Sequence, residues 1–222
     1  MILAIDTSTA HLGLAVYNGT EVLAENSWTS PNRHTTTLAP AVDAMLETLE
    51  IERKQLKALA VALGPGSFTS LRVGLSFAKG MALGLGIPVI GIPTLDILAA
   101  QQPVEKLPLC AFLQAGRGKL ATQFYTVKRG AWTAVGEIEV HTIESLCEKV
   151  TGPTLLTGEF TADIRAGFRK GNKDLKMSAP AMSLRRAGFL AEAGWKKFEK
   201  GGYPETDSLS PIYLHTHEPI PG

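Results

Sequence analysis

Two short stretches hold the residue types that could do chemistry. Asp6-Thr7-Ser8 ends the apolar run at residues 2–5. A carboxylate there could hold a magnesium ion, with neighbouring hydroxyls and backbone donors reaching a phosphate. The plainer alternative is an Asp-Thr turn that satisfies its own backbone. The second stretch is GPGSFTSLRVG at 64–74. Gly64-Pro65-Gly66 makes a rigid turn with room for close approach, and Ser67 suits the N-cap of a following helix. Free N–H groups at that helix start could bind an anion. The string is neither a P-loop nor GxGxxG, so a capped strand-to-helix turn explains it as well. Asp6, Gly66 and Ser67 are accordingly the candidate phosphate-site residues.

Other chemistries lack their residues. The five histidines (His11, His34, His141, His215, His217) form no helical HxxxH pair and no HExxH, so no metallopeptidase site is visible. His215-Thr216-His217 has no carboxylate or cysteine beside it and is expected to be a solvated tail. No G-x-S-x-G occurs, so a nucleophile elbow is absent. Cys110 and Cys147 sit outside any motif and suggest reduced thiols in a cytoplasmic protein.

The elements that must position these residues follow from periodicity. Residues 2–5 form a buried strand. Residues 12–17 and 21–27 flank Asn18-Gly19-Thr20 and form a hairpin, because Asn-Gly adopts the positive φ values of a tight turn. Apolar residues at 38, 41, 42, 45, 46 and 49 mark a helix over 35–49, with Pro40 making its first turn irregular or kinked. Residues 57–63 are a buried strand, 68–85 a second helix and 88–92 a short strand. The second half repeats this order: strands at 108–114, 119–127 and 131–140, a helix at 142–150, a strand at 154–158 and helices near 161–169 and 182–200. Strands alternating with helices predict an α/β fold of two duplicated domains, each a mixed sheet flanked by helices. The polar, Pro-containing linker AAQQPVEKLP puts the boundary near 103, giving domains 1–103 and 104–222, the latter with an extended tail able to pack back on the first.

Composition bounds the class. The chain has 222 residues, 45% apolar, 19% charged, with net charge +1. That length suffices for a core without disulfides or metal, and the balance excludes disorder. The most apolar stretch, 71–92, is interrupted by Arg72 and Lys79, so no membrane span is expected. MILAIDTS has no basic region and meets Asp6 early, so it is not a secretory signal. Balanced charge argues against a stand-alone nucleic-acid binder. Residues 1–103 carry 6 Lys/Arg against 8 Asp/Glu, and residues 104–222 carry 16 against 13. The most basic run (Arg165, Arg169, Lys170, Lys173, Lys176, against Asp174) is expected to be a solvated helix and loop rather than an RNA footprint.

The 68–85 helix is the most informative element. At 100° per residue, Leu71, Gly74, Leu75, Ala78, Ala82 and Leu85 form one apolar face. Val73, Phe77, Gly80, Met81 and Gly84 form another, and Arg72, Ser76 and Lys79 leave only a narrow polar strip. A helix apolar nearly all round is buried on two sides. One side meets the sheet. The other meets the second domain, the 35–49 helix or a partner, and a partner surface is the reading preferred here.

MILAIDTST, NRHTTTLAPAV at 32–42, GPGSFTSLRVGLSFAKG at 64–80 and IPVIGIPTLD at 87–96 together resemble the TsaB (YeaZ) family. The likeness covers residues 1–100, and LSPIYL at 209–214 resembles the family's closing motif. The resemblance implies an actin-like ATPase (ribonuclease H-like) fold. It also implies a non-catalytic subunit that pairs with its paralogue TsaD in making threonylcarbamoyladenosine in tRNA, next to the anticodon. The ATPase TsaE joins them, and the chain has no cofactor of its own, ATP and metal belonging to the partner subunits. Part of TsaD's metal is held by a histidine pair, and the matching segment Thr94–Leu98 has none. Gln114-Ala115-Gly116 replaces the family's D-A-R stretch, so the carboxylate that an actin-like phosphotransferase needs in its second hairpin is missing and the phosphate site is vestigial. Ser70 stands where the family usually has Gly. The resemblance implies that the 35–49 and 68–85 helices pack on TsaD. The expected interface is Thr36, Ala39 and Asp43 with Val73, Ser76, Phe77, Gly80 and Met81, and Arg72 and Lys79 at its rim. The same surface would support a homodimer when the chain is alone. The competing expectation is a small actin-like kinase or ATPase using Asp6 and the Gly64–Ser67 turn. A glycoprotease-like peptidase finds no nucleophile or metal set here.

Overall fold

The structure, a computed structural model, describes residues 1–30 and 33–214; the His215–His217 tail therefore lies outside the described residues. The first sheet is built from β1 (Ile2–Asp6), β2 (His11–Tyr17), β3 (Val22–Thr29), β4 (Ala58–Ala62) and β5 (Val89–Ile92) in the order β3-β2-β1-β4-β5. β1, β2 and β3 are antiparallel, whereas β4 and β5 run parallel to β1. Those parallel steps are made by α1 (His34–Thr48) and α2 (Phe68–Leu85). ILAID and ALAVA are apolar without alternation because both faces of β1 and β4 are covered. At the hairpin, Asn18 Oδ1 accepts 2.8 Å hydrogen bonds from the Thr20 and Glu21 amides.

After α3 (Thr94–Ala100) the order repeats with β6 (Leu109–Gln114), β7 (Leu120–Lys128), β8 (Ala131–His141), α4 (Ile143–Lys149), β9 (Thr154–Gly158), α5 (Ala162–Gly171) and β10 (Leu175–Met177). This second sheet has the order β10-β9-β6-β7-β8. Its central strand β6 is antiparallel to β7 and parallel to β9, as β1 is to β2 and β4. Each half is thus a ribonuclease H-like sheet, and the pair is an actin-like duplication.

The halves exchange their last helices. α6 (Ala187–Lys200) packs on the first sheet, with Ala187, Leu190 and Ala191 against Ile2, Ala4, Ala60 and Ile90. A Cβ on Gly194 would stand 2.5 Å from the Ala60 Cβ, so small residues on both surfaces permit the approach. α3 instead joins the second sheet's core through Leu95, Leu98 and Ala99, packed with Leu109, Ala111 and Leu113. The helix expected at 182–200 within the second half therefore begins at Ala187 and covers the first. α3 and β10 were not anticipated. TLDILAA is buried on nearly every side, which erases helical periodicity, and LKM has three residues. α1 runs unbroken through the exposed Pro40.

α1 and α2 cover the opposite face of the first sheet. Leu38, Val42, Met45, Leu75, Ala78 and Ala82 lie in that core. Residues 201–214 return there: Leu209 enters the same core, the Val89 amide donates 3.0 Å to Thr206 Oγ1, and the Ile212 amide donates 2.7 Å to the Leu63 carbonyl.

Candidate functional site: a closed ionic joint and an open helix groove

Asp6 ends β1 and is 2% exposed. Its Oδ1 accepts the Ser8 amide at 2.8 Å and the Ser8 hydroxyl, and its Oδ2 accepts Arg185 Nε at 2.7 Å. Burial alone would raise the Asp6 pKa, but the Arg185 charge and the Ser8 hydrogen bonds outweigh it and hold the carboxyl below its ordinary value. Arg185, in the loop before α6, is 3% exposed. Its Nη1 donates to Glu159, just past β9, and its Nη2 donates 2.9 Å to Thr9 Oγ1, which donates 2.7 Å to Glu159. Burial would lower the guanidinium's pKa, yet Asp6 and Glu159 raise it overall, so the cation is firmly held. One guanidinium thus bridges carboxylates from the two sheets. Sequence reasoning singled out Asp6 and missed Arg185 and Glu159, which lie 179 and 153 positions away and carry no local motif.

A magnesium-phosphate reading of this joint does not fit the residues present. Both Asp6 oxygens are engaged, and Arg185 stands beside them. Ser67 makes no side-chain cap bond, and its amide donates 2.7 Å to the Ser8 carbonyl. Gly66 lets that carbonyl approach, because a Cβ there would stand 2.2 Å from the oxygen. The close approach foreseen in the turn is to backbone. Thr94 is spent likewise: its hydroxyl accepts the Gly64 amide at 2.9 Å and donates 3.1 Å to Ser8 Oγ. The cleft between the sheets, about 780 Å³, is bordered by Thr9, Ser67, Gln114 and Glu159. Among the described residues no Lys or Arg lines it, and Gln114 brings no carboxylate. No group of three or more His, Cys, Asp or Glu able to hold a metal occurs among the described residues.

α1 and α2 diverge above the turn and leave an apolar groove of about 480 Å³. Of the expected interface residues, Ala39, Arg72, Val73, Ser76 and Phe77 line it. Val73 and Phe77 are half-buried, with part of each on the core and part open. Arg72 lies 3.9 Å above the Phe68 ring and donates 3.1 Å to Tyr213 Oη. The structure separates the other candidates from the groove. Thr36 is exposed and bonds the Arg33 carbonyl, and Asp43 pairs with Arg53 at 2.6 Å. Lys79 donates 3.0 Å to the Asp207 carbonyl and, with Gly80, borders a separate depression beside Leu83, which is 86% exposed. Met81 is half-buried on the core. His34 was not foreseen as part of the groove. It is 4% exposed, and its Nε2 donates 2.7 Å to the Thr9 carbonyl while Nδ1 has no partner among the described residues.

The duplicated sheets and this ion-filled joint define a protein of the actin-like class. The family model described as "TsaD: tRNA N6-adenosine threonylcarbamoyltransferase" matches residues 21–177. A Buchnera aphidicola protein named "tRNA threonylcarbamoyladenosine biosynthesis protein TsaB" is 31% identical over all of this chain and 91% of its own length. The Bacillus subtilis protein of the same name is 35% identical over 58% of this chain, but only 56% of that protein is matched. The solved structure of YeaZ from Pseudomonas aeruginosa is 24% identical and superimposes with a TM-score of 0.77, covering 96% of this chain and 99% of that one. The chain belongs to the TsaB (YeaZ) family.

Proposed function

We propose that this chain is the non-catalytic scaffold subunit of a tRNA N6-adenosine threonylcarbamoyltransferase complex, binding and activating a TsaD subunit through the α1–α2 groove. One observation carries the reading: Val73 and Phe77 remain half-open in an apolar groove, while the Asp6 carboxylate is already taken up by Arg185 and Ser8. A protein whose candidate metal-binding carboxylate is already paired and whose apolar helix flank is open gains most from burying that flank on a partner. TsaD is the partner, TsaE the ATPase that joins them, and tRNA is engaged through the complex, in the cytoplasm. Alone, the chain pairs with itself through the same flank. The competing kinase or ATPase reading has against it the occupied Asp6 oxygens and a cleft that no Lys or Arg among the described residues lines.

The test mixes the purified chain with the TsaD and TsaE of its organism. A co-eluting complex and restored tRNA modification are expected, both lost in Phe77→Glu while the monomer stays folded. Co-elution unchanged by Phe77→Glu refutes the groove. Magnesium-dependent ATP turnover by the chain alone, lost in Asp6→Asn, refutes the scaffold reading.

A further inference from the structure

Asp6 carries the carboxylate expected of a magnesium site, yet the residues around it already hold a cation. Asp6 and Glu159 come from the ends of β1 and β9, one from each sheet, and Ser8 and Thr9 add hydroxyls beside them. An oxygen-only donor set of two carboxylates and hydroxyls is what hard divalent cations prefer. The position among these oxygens is taken by a cation already, the Arg185 guanidinium, which touches Asp6, Glu159 and Thr9 at once. We infer that Arg185 is a built-in counter-cation standing where a divalent ion would otherwise sit, and that the joint becomes a Mg²⁺ or Mn²⁺ site when the guanidinium is removed.

The charges support this. Two carboxylates facing one guanidinium leave one negative charge; without Arg185 they leave two, with Asp6 buried and Glu159 at the edge of the cleft. A partly hydrated divalent ion neutralises both, and Mg²⁺, which keeps several of its waters, needs only one or two carboxylates from the protein. A covalently attached cation also cannot dissociate, so the two sheets stay joined whatever the metal supply. Arg185 is therefore a positioning residue for the joint.

The test is made on the full chain without any partner, so its outcome is separate from that of the scaffold reading. Wild type, Glu159→Gln, Arg185→Gln, and Arg185→Gln with Glu159→Gln are titrated with Mn²⁺, free ion being followed by its paramagnetic resonance and unfolding by thermal melts. Wild type is expected to bind no Mn²⁺ and to show no shift. Arg185→Gln, which fills the volume without charge, should melt roughly 6–20 °C lower than wild type in chelator. It should bind one Mn²⁺ per chain and recover part of that loss, and the double variant should bind none. A folded Arg185→Gln that takes no Mn²⁺ overturns the inference, as does stoichiometric Mn²⁺ on wild type that vanishes in Glu159→Gln. Should Arg185→Gln be unfolded in chelator, refolding on adding Mn²⁺ supports the inference and failure to refold overturns it.

Discussion

Ala39→Glu separates the groove's proposed role in docking from its role in folding. Ala39 is exposed on α1 and borders the groove facing Val73 and Phe77. In the isolated chain the new side chain stays in water. Its cost is a few tenths of a kcal/mol of helix propensity plus a like-charge contact with Asp43 four residues on, itself drawn toward Arg53. Together these come to about 0.5–1 kcal/mol, or a Tm lower by roughly 1–4 °C for a chain of this size. In the proposed complex with TsaD the same carboxylate is trapped without a partner against apolar side chains. Taking about 3 kcal/mol for an uncompensated charge at a desolvated contact, Kd for TsaD rises roughly 150-fold. Isothermal titration of TsaD with the wild-type and variant chains measures this. Val135→Glu, on the half-exposed β8 strand of the other sheet, serves as the control and leaves Kd unchanged. A variant that melts near wild type and binds TsaD within about threefold of it contradicts the groove as the contact.

Gly66→Ala places a Cβ 2.2 Å from the Ser8 carbonyl oxygen, a backbone atom that cannot swing aside, and should lower stability by about 3 kcal/mol, seen as a Tm loss of roughly 6–12 °C. Gly80→Ala meets nothing within 4 Å inside α2 and should instead stabilise by about 0.5–1 kcal/mol, so thermal melts of the pair distinguish close approach from propensity. Burial pushes the Asp96 pKa up, only partly offset by the Tyr125 hydroxyl donating to it at 2.8 Å and by the Lys197 charge. The folded state therefore favours the protonated acid, and stability is lost as pH rises from the ordinary value of 3.8 through the raised one. Asp96→Asn keeps an acceptor for Tyr125 and should be more stable than wild type in urea melts at neutral pH. The difference should vanish at the most acid pH where the fold persists. Leu209→Ala deletes a side chain that the returning segment inserts beneath α2 and should cost about 2–3 kcal/mol, with faster hydrogen exchange at the Ile212 amide.

Local order was legible in the sequence because its causes are local. The apolar runs at 2–5 and 57–63, the Asn18-Gly19 turn, and the two-sided apolar helix over 68–85 each depend on neighbours within a few positions. Their repetition was enough to announce two related sheets. The likeness over 1–100 pointed to the family, which the full-length Buchnera relative and the TsaD family match establish. Three features lay beyond that reach. α3 is buried on nearly every side, so its seven residues show no period, and the destination of α6 depends on alanines and glycines meeting across the two halves. The state of the Asp6 site depends on Arg185 and Glu159, which no spacing rule connects to it. A carboxylate after a strand is the same in sequence whether it awaits a metal ion or already grips a guanidinium. Only folding, by bringing three distant side chains within hydrogen-bond reach, determines which.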